Sequence, residues 1–474
     1  MKNSDVLDAL NGEGKKKYLS LLKTRRARSL SGVSVIAVMI KPVSCPYTCI
    51  YCPTSALAAK SYTGFEPAAL RARSNDFDSF KQVSSRLAQL KAIGHDPQKC
   101  ELIVMGGTFN AQPFGYQKSF VKGAYDAFNE FESKTLAQSM EANETARHRV
   151  IGLTFETRPD WASPRQIAQL LDFGATRIEL GVQSLDDRAL VKAKRGHGVR
   201  ETIAATKNVK NAFLKVGYHI MPGLFSTPAK DERMFRTLFG KPEFQPDMLK
   251  IYPTLVMPGT KLFELWEKGE FEPYGDDKAA KVIARGKKFV PRYCRIMRVD
   301  RDIPSQHIAA GVKKTNLREL VKKQLEKSNS KCVCIRCREA GLASRFRQID
   351  FDSVEMHRLD YDANGGKEVF LSFDTAEDFL AGFLRLRAFK DEKGGLKCGV
   401  RELRVYGEQV ALGERNAKAL QHKSFGKRLL EEAERIAREE WGAEKLSVTS
   451  GVGVREYYRK LGYRLEKPYV VKSF

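Results

Sequence analysis

A chain of 474 residues has room for two or three domains, each with a core of its own. Its 82 lysines and arginines against 57 acidic residues leave a formal charge of +25, which favours a polyanionic partner because neutralised phosphates release counterions. The opening MKNSDVLDALNGEGKKK has no apolar core, and no apolar run is long enough to span a bilayer. Six of the nine cysteines sit in two tight clusters. A signal peptide, a membrane span and a disulfide scaffold are therefore not expected, and a cytoplasmic setting is.

Residues 1–30 form a short basic segment, with Lys15, Lys16, Lys17, Lys23, Arg25, Arg26 and Arg28 as candidates for nucleic-acid phosphate contacts. After it, short apolar, β-branched runs alternate with stretches long enough for helices. The runs are Val33–Ile40, Glu101–Met105, Val150–Phe155, Arg177–Gly181, Val216–Met221 and Leu249–Pro253. Consecutive βα units on a parallel sheet read this way. About six units are too few to close a full barrel, so residues 31–310 are expected to fold as a partial, TIM-like (βα)6 barrel.

The stretch Cys45-Pro-Tyr-Thr-Cys49-Ile-Tyr-Cys52 follows the first of these strands, where βα loops carry active sites. Three thiolates on one loop can hold three irons of a 4Fe–4S cluster. The missing fourth ligand leaves one iron open to the amino and carboxylate groups of S-adenosylmethionine. A zinc site would more usually bring two CxxC pairs or a Cys/His set of four.

Further candidates for S-adenosylmethionine lie near other strand ends. Gly106, Gly107 and Thr108 end the second strand, where a Gly-Gly lets backbone approach a ligand and is equally an ordinary turn. Glu179 and Gln183, in the alternating Arg177–Gln183, can point into a barrel mouth and hold ribose hydroxyls or the sulfonium, or Glu179 can belong to a salt-bridged pair inside the barrel. Lys250 and Tyr252 occupy a later strand end.

Residues 311–345 read as a connector carrying Cys332, Cys334 and Cys337, three positions of a tetrahedral zinc site or three reduced thiols. Cys294 and His307 are the nearest candidates for a fourth ligand. From residue 346 to 474 the pattern becomes antiparallel strands at Asp350–Arg358, Glu368–Phe373, Ala381–Leu386 and Val400–Tyr406, then a helix at Phe425–Glu440. This is an α+β unit.

The segments SYTGFEPAALRAR, VMGGTF, TFETRPDW, IELGVQS, HIMPGL, KIYPTLVMPGT and RVDRDIP resemble the catalytic subunit of Elongator, from about residue 25 to the C-terminus. The resemblance implies a radical S-adenosylmethionine domain fused to a Gcn5-related N-acetyltransferase domain that modifies the wobble uridine of tRNA. It implies a structural zinc between the halves. Gln421 to Lys427 then resemble the pyrophosphate loop for acetyl-CoA, with Gln421, Ser424, Phe425, Gly426 and Lys427 as binding residues and Ser424 where the family pattern has its first glycine. Glu402, Leu403, Arg404 and Val405 match the strand that holds the pantetheine arm, Tyr458 a tyrosine near the thioester, and Lys99 a lysine used against CoA. The resemblance further implies the tRNA anticodon stem-loop as partner, a reductant, and further Elongator-type subunits as candidates.

Together these features imply that a 5′-deoxyadenosyl radical acts on the acetyl methyl group, which is then joined to carbon 5 of uridine as a carboxymethyl group, with Lys250 and Tyr252 placing the base. The alternative is a protein lysine acetyltransferase acting through the C-terminal domain alone. The first reading carries a geometric expectation, that the acetyl-CoA and cluster pockets open toward a shared cleft.

Overall fold

The computed structural model describes residues 3–10, 12–24, 32–43, 45–344, 349–351, 353–406 and 424–474. Its first half is a parallel sheet of seven strands in sequential order. They are β1 (Ser34–Met39), β2 (Lys99–Met105), β3 (Arg149–Thr157), β4 (Arg177–Gln183), β5 (Lys215–Ile220), β6 (Met248–Ile251) and β7 (Arg295–Arg298). β1 and β7 are the two edges, so the barrel is open, as expected. The six expected strands are all present. The seventh was not anticipated, because RIMR is half charged and carries no β-branched run that marks a buried strand.

Alternation sorts each strand into an outer and an inner face. On β2, Cys100, Leu102 and Val104 are wholly buried, whereas Lys99, Glu101, Ile103 and Met105 on the other face are each partly exposed. The outer apolar residues pack under helices such as Ser79–Ala92, whose first turn is capped by Asp78 accepting from the Lys81 N–H.

The second half is a seven-stranded mixed sheet, ordered β13-β14-β12-β11-β10-β9-β8. It comprises β8 (Glu355–Ala363), β9 (Gly366–Asp374), β10 (Leu380–Lys390), β11 (Leu396–Val405), β12 (Lys445–Val448), β13 (Arg464–Glu466) and β14 (Tyr469–Ser473). Only β11 and β12 pair in parallel. The expected long helix runs as Phe425–Arg435, followed by a wider turn over Ile436–Glu440, and lays Leu429, Leu430 and Ala433 on the sheet.

The halves meet at the N-terminal ends of the barrel strands. Arg401 on β11 grips Asp247, just before β6, with two hydrogen bonds of 2.7 and 2.6 Å and donates to the Leu214 carbonyl. Glu368 accepts from Arg401 at 2.8 Å, Arg387 at 2.9 Å and Lys210 at 3.2 Å, and Arg385 donates to the Tyr293 carbonyl. Burial alone would raise the Asp247 pKa, but Arg401, Lys210 and Arg385 hold it far below the usual carboxylate range. Gly451 and Gly453 press on the start of β3; a Cβ on Gly451 would lie 2.1 Å from the Ile151 carbonyl oxygen. Among the described residues no helix is long and apolar enough to cross a membrane.

Candidate functional site

The loop after β1 carries the first cysteine trio to the C-terminal end of the barrel. It is fixed by backbone bonds from Ile50 to the Ala193 carbonyl and from Leu262 to the Ile50 carbonyl. The Cys49 sulfur faces two guanidinium groups, Arg195 Nη1 at 3.5 Å and Arg158 Nη1 at 3.8 Å. Burial would raise the Cys49 thiol, yet Arg195 and Arg158 outweigh it and lower the pKa. Cys52 has no such partners at contact, and burial together with the Cys49 charge pushes it up to about 11. The donor set of three cysteines on one loop fits an iron–sulfur cluster, whose irons are held by thiolates.

Cys45 lines a narrow cleft with Ile40, Ala59, Gly106, Gly107 and Thr108. Gly106 and Gly107 have φ of 115° and 57°. A Cβ on Gly106 would meet Ala59 Cβ at 2.7 Å and Ile40 Cγ1 at 2.9 Å, while Gly107 faces open space except for Lys60 at 3.8 Å. At Gly106 only glycine permits that backbone and that approach, whereas Gly107 has space around it.

Across the inner barrel wall, β3 to β6 bring Glu156, Glu179, His219 and Lys250 together. Lys250 Nζ lies 2.8 Å from Glu156 and is also paired with Glu179, and His219 Nε2 is 2.8 Å from Glu179. Tyr62 donates to Glu156 at 2.9 Å. Arg177 bridges Glu101 at 2.6 Å and Glu179 at 3.1 Å. Burial works against the charged form of each carboxylate, but Lys250 and its neighbours keep Glu156 low and Glu179 well below its ordinary range. Tyr252 stands edge-on to His219 at 5.6 Å, and Arg301 caps both Tyr62 and Tyr252 rings at 5.9 Å. Gln183 ends β4 with φ of 68°, its Oε1 buried and without a hydrogen-bond partner. Arg158, Arg195, Glu156, Arg177, His219, Tyr62 and Arg301 were not picked out from sequence. Their signal was membership of the resembling segments: Tyr62 lies in SYTGFEPAALRAR, Glu156 and Arg158 in TFETRPDW, His219 in HIMPGL and Arg301 in RVDRDIP.

In the connector, the Cys332, Cys334 and Cys337 sulfurs converge within 4.8 Å, a spacing that fits one tetrahedral ion. Hydrogen bonds from Cys332 and Cys337 hold Cys334 well below a normal thiol. Neither suggested fourth ligand joins them. His307 stacks on Phe65 at 3.9 Å, and Cys294, though buried nearby, is not within that distance of all three.

In the second sheet β11 pairs with β10 as far as Val405, but with β12 only at Gly399 and Val400. Among the described residues, one edge of Arg401–Val405 therefore lacks a strand partner, leaving backbone groups open for an extended ligand. Glu402 accepts from Arg385 at 2.9 Å and Arg404 lies over Tyr406; Leu403 packs against the sheet core. Ser424 caps the following helix in the left-handed region at φ 58°, so serine adopts the turn a glycine would take freely, at a cost of roughly 1–2 kcal/mol. Phe425 is buried, Lys427 reaches Glu431 at 3.5 Å, and a Cβ on Gly426 would lie 3.1 Å from the Tyr457 hydroxyl and 3.6 Å from Val405. Tyr458 is buried among Tyr457, Tyr463 and the sheet core, while Tyr457 is 41% exposed and is the tyrosine beside the loop. Gln421 lies outside the described residues.

Lys99 begins β2 at the barrel's N-terminal end, where burial lowers its pKa. The second sheet docks through Arg401, Gly451 and Gly453 under the strand starts, on the side of Lys99, whereas the loop of Cys45, Cys49 and Cys52 follows the C-terminal end of β1. In the basic segment, Lys17 on the helix Gly12–Leu22 is exposed and Lys23 is partly buried. Arg25, Arg26 and Arg28 lie outside the described residues, as do the side chains of Lys15 and Lys16.

Residues 39–238 match the Radical SAM superfamily, 246–327 the Radical_SAM C-terminal domain, and 341–463 the acetyltransferase (GNAT) family. The chain is 46% identical to the tRNA uridine(34) acetyltransferase of Methanocaldococcus infernus, over 99% of its own length and 91% of the relative's. The chain belongs to the Elongator catalytic-subunit family. Elongator complex protein 3 of Homo sapiens is 40% identical over 99% of this chain and 89% of the human protein. The solved archaeal Elp3 of Methanocaldococcus infernus with an N-terminal deletion superposes with a TM-score of 0.82 at 44% identity, covering 94% of this chain and all of that one (100%).

Proposed function

We propose that this family member is an enzyme that carboxymethylates carbon 5 of the tRNA wobble uridine, drawing on S-adenosylmethionine and acetyl-CoA. The observation that carries the reading is the near full-length likeness to tRNA uridine(34) acetyltransferases, in a chain whose cluster loop sits beside the Gly106–Gly107 backbone. When bound, a 4Fe–4S cluster with S-adenosylmethionine would supply a radical able to take hydrogen from an unactivated C–H bond.

Cys45, Cys49 and Cys52 would hold that cluster, with Arg158 and Arg195 stabilising the Cys49 thiolate. Gly106, Gly107 and Thr108 would receive the amino-acid end of S-adenosylmethionine, and Glu179 and Gln183 its ribose or sulfonium. Lys250 and Tyr252 would position the uracil, Lys250 being kept cationic by Glu156 and Glu179. Glu402 to Val405, Ser424 to Lys427, Tyr458 and Lys99 would bind acetyl-CoA, together with Gln421. Cys332, Cys334 and Cys337 would hold a structural zinc in a connector spanning 311–345, between a barrel domain at 31–310 and an acetyltransferase domain at 346–474. The basic segment, Lys15 to Arg28, would meet tRNA phosphates in the cytoplasm, and a reductant and further subunits complete the partner set.

Incubation with tRNA, acetyl-CoA, S-adenosylmethionine and dithionite, followed by nucleoside mass spectrometry, tests this. A 5-carboxymethyluridine product dependent on all the small molecules is expected; acetylated lysine with unmodified uridine would sink the reading.

A further inference from the structure

The cluster that Cys45, Cys49 and Cys52 would hold takes its electron from outside, and the surface beside the cluster loop offers a short way in. The helix Asp187–Lys192 ends at that loop: the Ile50 N–H donates to the Ala193 carbonyl at 3.1 Å, and Ala193 packs with Cys49 and Ile50. The chain then turns through Lys194 and Gly196, both exposed, with φ of 49° and 77°. Between them Arg195 points inward, 7% exposed, with Nη1 3.5 Å from the Cys49 sulfur. Gly196 lies close against the loop; a Cβ there would come 2.7 Å from the Tyr47 ring. Pro46 and Thr48, on either side of Tyr47 in the chain, are exposed. The outward face of the cluster loop and the turn at Lys194–Gly196 therefore form one surface, a single side chain away from a ligand sulfur.

That surface is basic with an apolar centre. Val191 is 76% exposed, and Arg188, Lys192 and Lys194 around it are exposed as well. The neighbouring acids are occupied. Asp186 pairs with Lys230 at 3.1 Å, Asp187 accepts from the Val199 N–H at 2.8 Å, and Glu201 accepts from the Gly198 N–H at 2.7 Å. Among the described residues Arg188, Lys192 and Lys194 form no ion pair, and Lys192 Nζ stands 6.0 Å over the Phe225 ring. Phosphates alone would leave the aliphatic centre of this patch uncovered. A protein surface with complementary acids covers both parts, and small interfaces with a charged rim serve transient electron-transfer encounters.

We propose that the surface of Arg188, Val191, Lys192 and Lys194 is the docking face for a small acidic one-electron carrier protein, which reduces the cluster across Arg195 and the Ile50–Ala193 hydrogen bond. The proposal rests on the radical reading above. In this step the reduced carrier is oxidised by one electron, the cluster is reduced by the same electron, and no bond forms or breaks. Electron transfer through protein slows steeply with distance, which favours a face one side chain from Cys49 over a remote basic patch. Opposite charges also raise the encounter rate at low salt.

Reduced flavodoxin, an acidic one-electron carrier, tests this on the reconstituted full chain. The triple variant Arg188→Glu, Lys192→Glu, Lys194→Glu should slow bleaching of the cluster's visible absorbance by flavodoxin about tenfold or more and remove most of its salt dependence. Dithionite, too small to need a docking face, should bleach wild type and variant at equal rates. Carbodiimide cross-linking of flavodoxin to wild type, with and without its cluster, should map to Lys192 and Lys194 by mass spectrometry. An undiminished flavodoxin rate in the variant, cross-links confined to other lysines, or no reduction of wild type by flavodoxin overturns the proposal. Slowing by both reductants alike overturns it too, and lost tRNA affinity with an unchanged flavodoxin rate assigns the face to RNA instead. If wild type reduced by dithionite cleaves no S-adenosylmethionine, the radical reading falls and the proposal with it.

Discussion

Two clusters of buried charge sit in this molecule, and they are built differently. At the domain interface Asp247, Glu368, Arg385, Arg387, Arg401 and Lys210 are almost wholly buried, and each carboxylate is met by several cations. In the barrel wall Glu156, His219 and Lys250 remain 10–14% exposed. A network shut off from water fixes geometry. One that keeps part of its charge within reach of solvent stays accessible to a ligand. Buried ion pairs add little net stability over apolar packing but are costly to break singly, so the interface network is suited to holding the second sheet under the strand starts.

Substitutions on the two sides should separate stability from chemistry. The largest effect belongs to the mouth: Cys49→Ala should abolish S-adenosylmethionine cleavage, read as 5′-deoxyadenosine by chromatography, with little change in melting temperature. Cleavage at an undiminished rate would remove Cys49 from the cluster. At the interface, Asp247→Ala strands Arg401 and should cost about 3–5 kcal/mol in chemical denaturation; a loss below about 1 kcal/mol would mean that the network contributes no rigidity.

Lys250→Met is the contrasting change. It should lower uridine modification by on the order of 100-fold with a smaller stability loss than Asp247→Ala, since the site is part-open to water. Equal destabilisation by the two would erase the distinction. The interface also predicts a pH signature. Asp247 has a folded pKa far below its unfolded value near 3.9. Its contribution is therefore present above the unfolded pKa and is lost as pH falls below about 4 toward the folded one. Asp247→Asn should flatten the acid limb of the stability profile below about pH 4; an unchanged limb would place acid sensitivity elsewhere. The smallest effect is at the acetyl-CoA loop, where Ser424→Gly should relieve a left-handed serine. A net gain of about 0.5–1 kcal/mol is expected, because glycine's unfolded-chain entropy offsets part of the relief, and CoA binding should tighten. Weaker binding would show that the serine hydroxyl itself contacts the ligand.

Local chemistry explains what was readable before folding. The CxxxCxxC loop, the Gly106–Gly107 turn and the connector cysteines are contiguous, so spacing alone announced them. β1 to β6 announced themselves through apolar, β-branched runs, whereas the charged β7 did not. Glu156, His219, Arg177, Arg195 and Tyr62 could not be read as functional residues one by one, because single polar residues on different strands acquire meaning only when register brings them within hydrogen-bond distance. The tyrosine pair was readable as a pair, but which ring lies beside Gly426 depends on how the short helix Arg455–Arg459 is turned.

The sequence by itself determined the ligand chemistry, the parallel order of the barrel and the presence of a second α+β unit, since each rests on residues adjacent in the chain or on a strand's period. Tertiary structure alone decided where the two units face one another. That choice is made by Arg401 meeting Asp247 across a sequence separation of 154 and by two glycines fitting against β3. Complementarity between distant surfaces has no local period, so the docking of the second sheet under the strand starts appears only once the chain is folded.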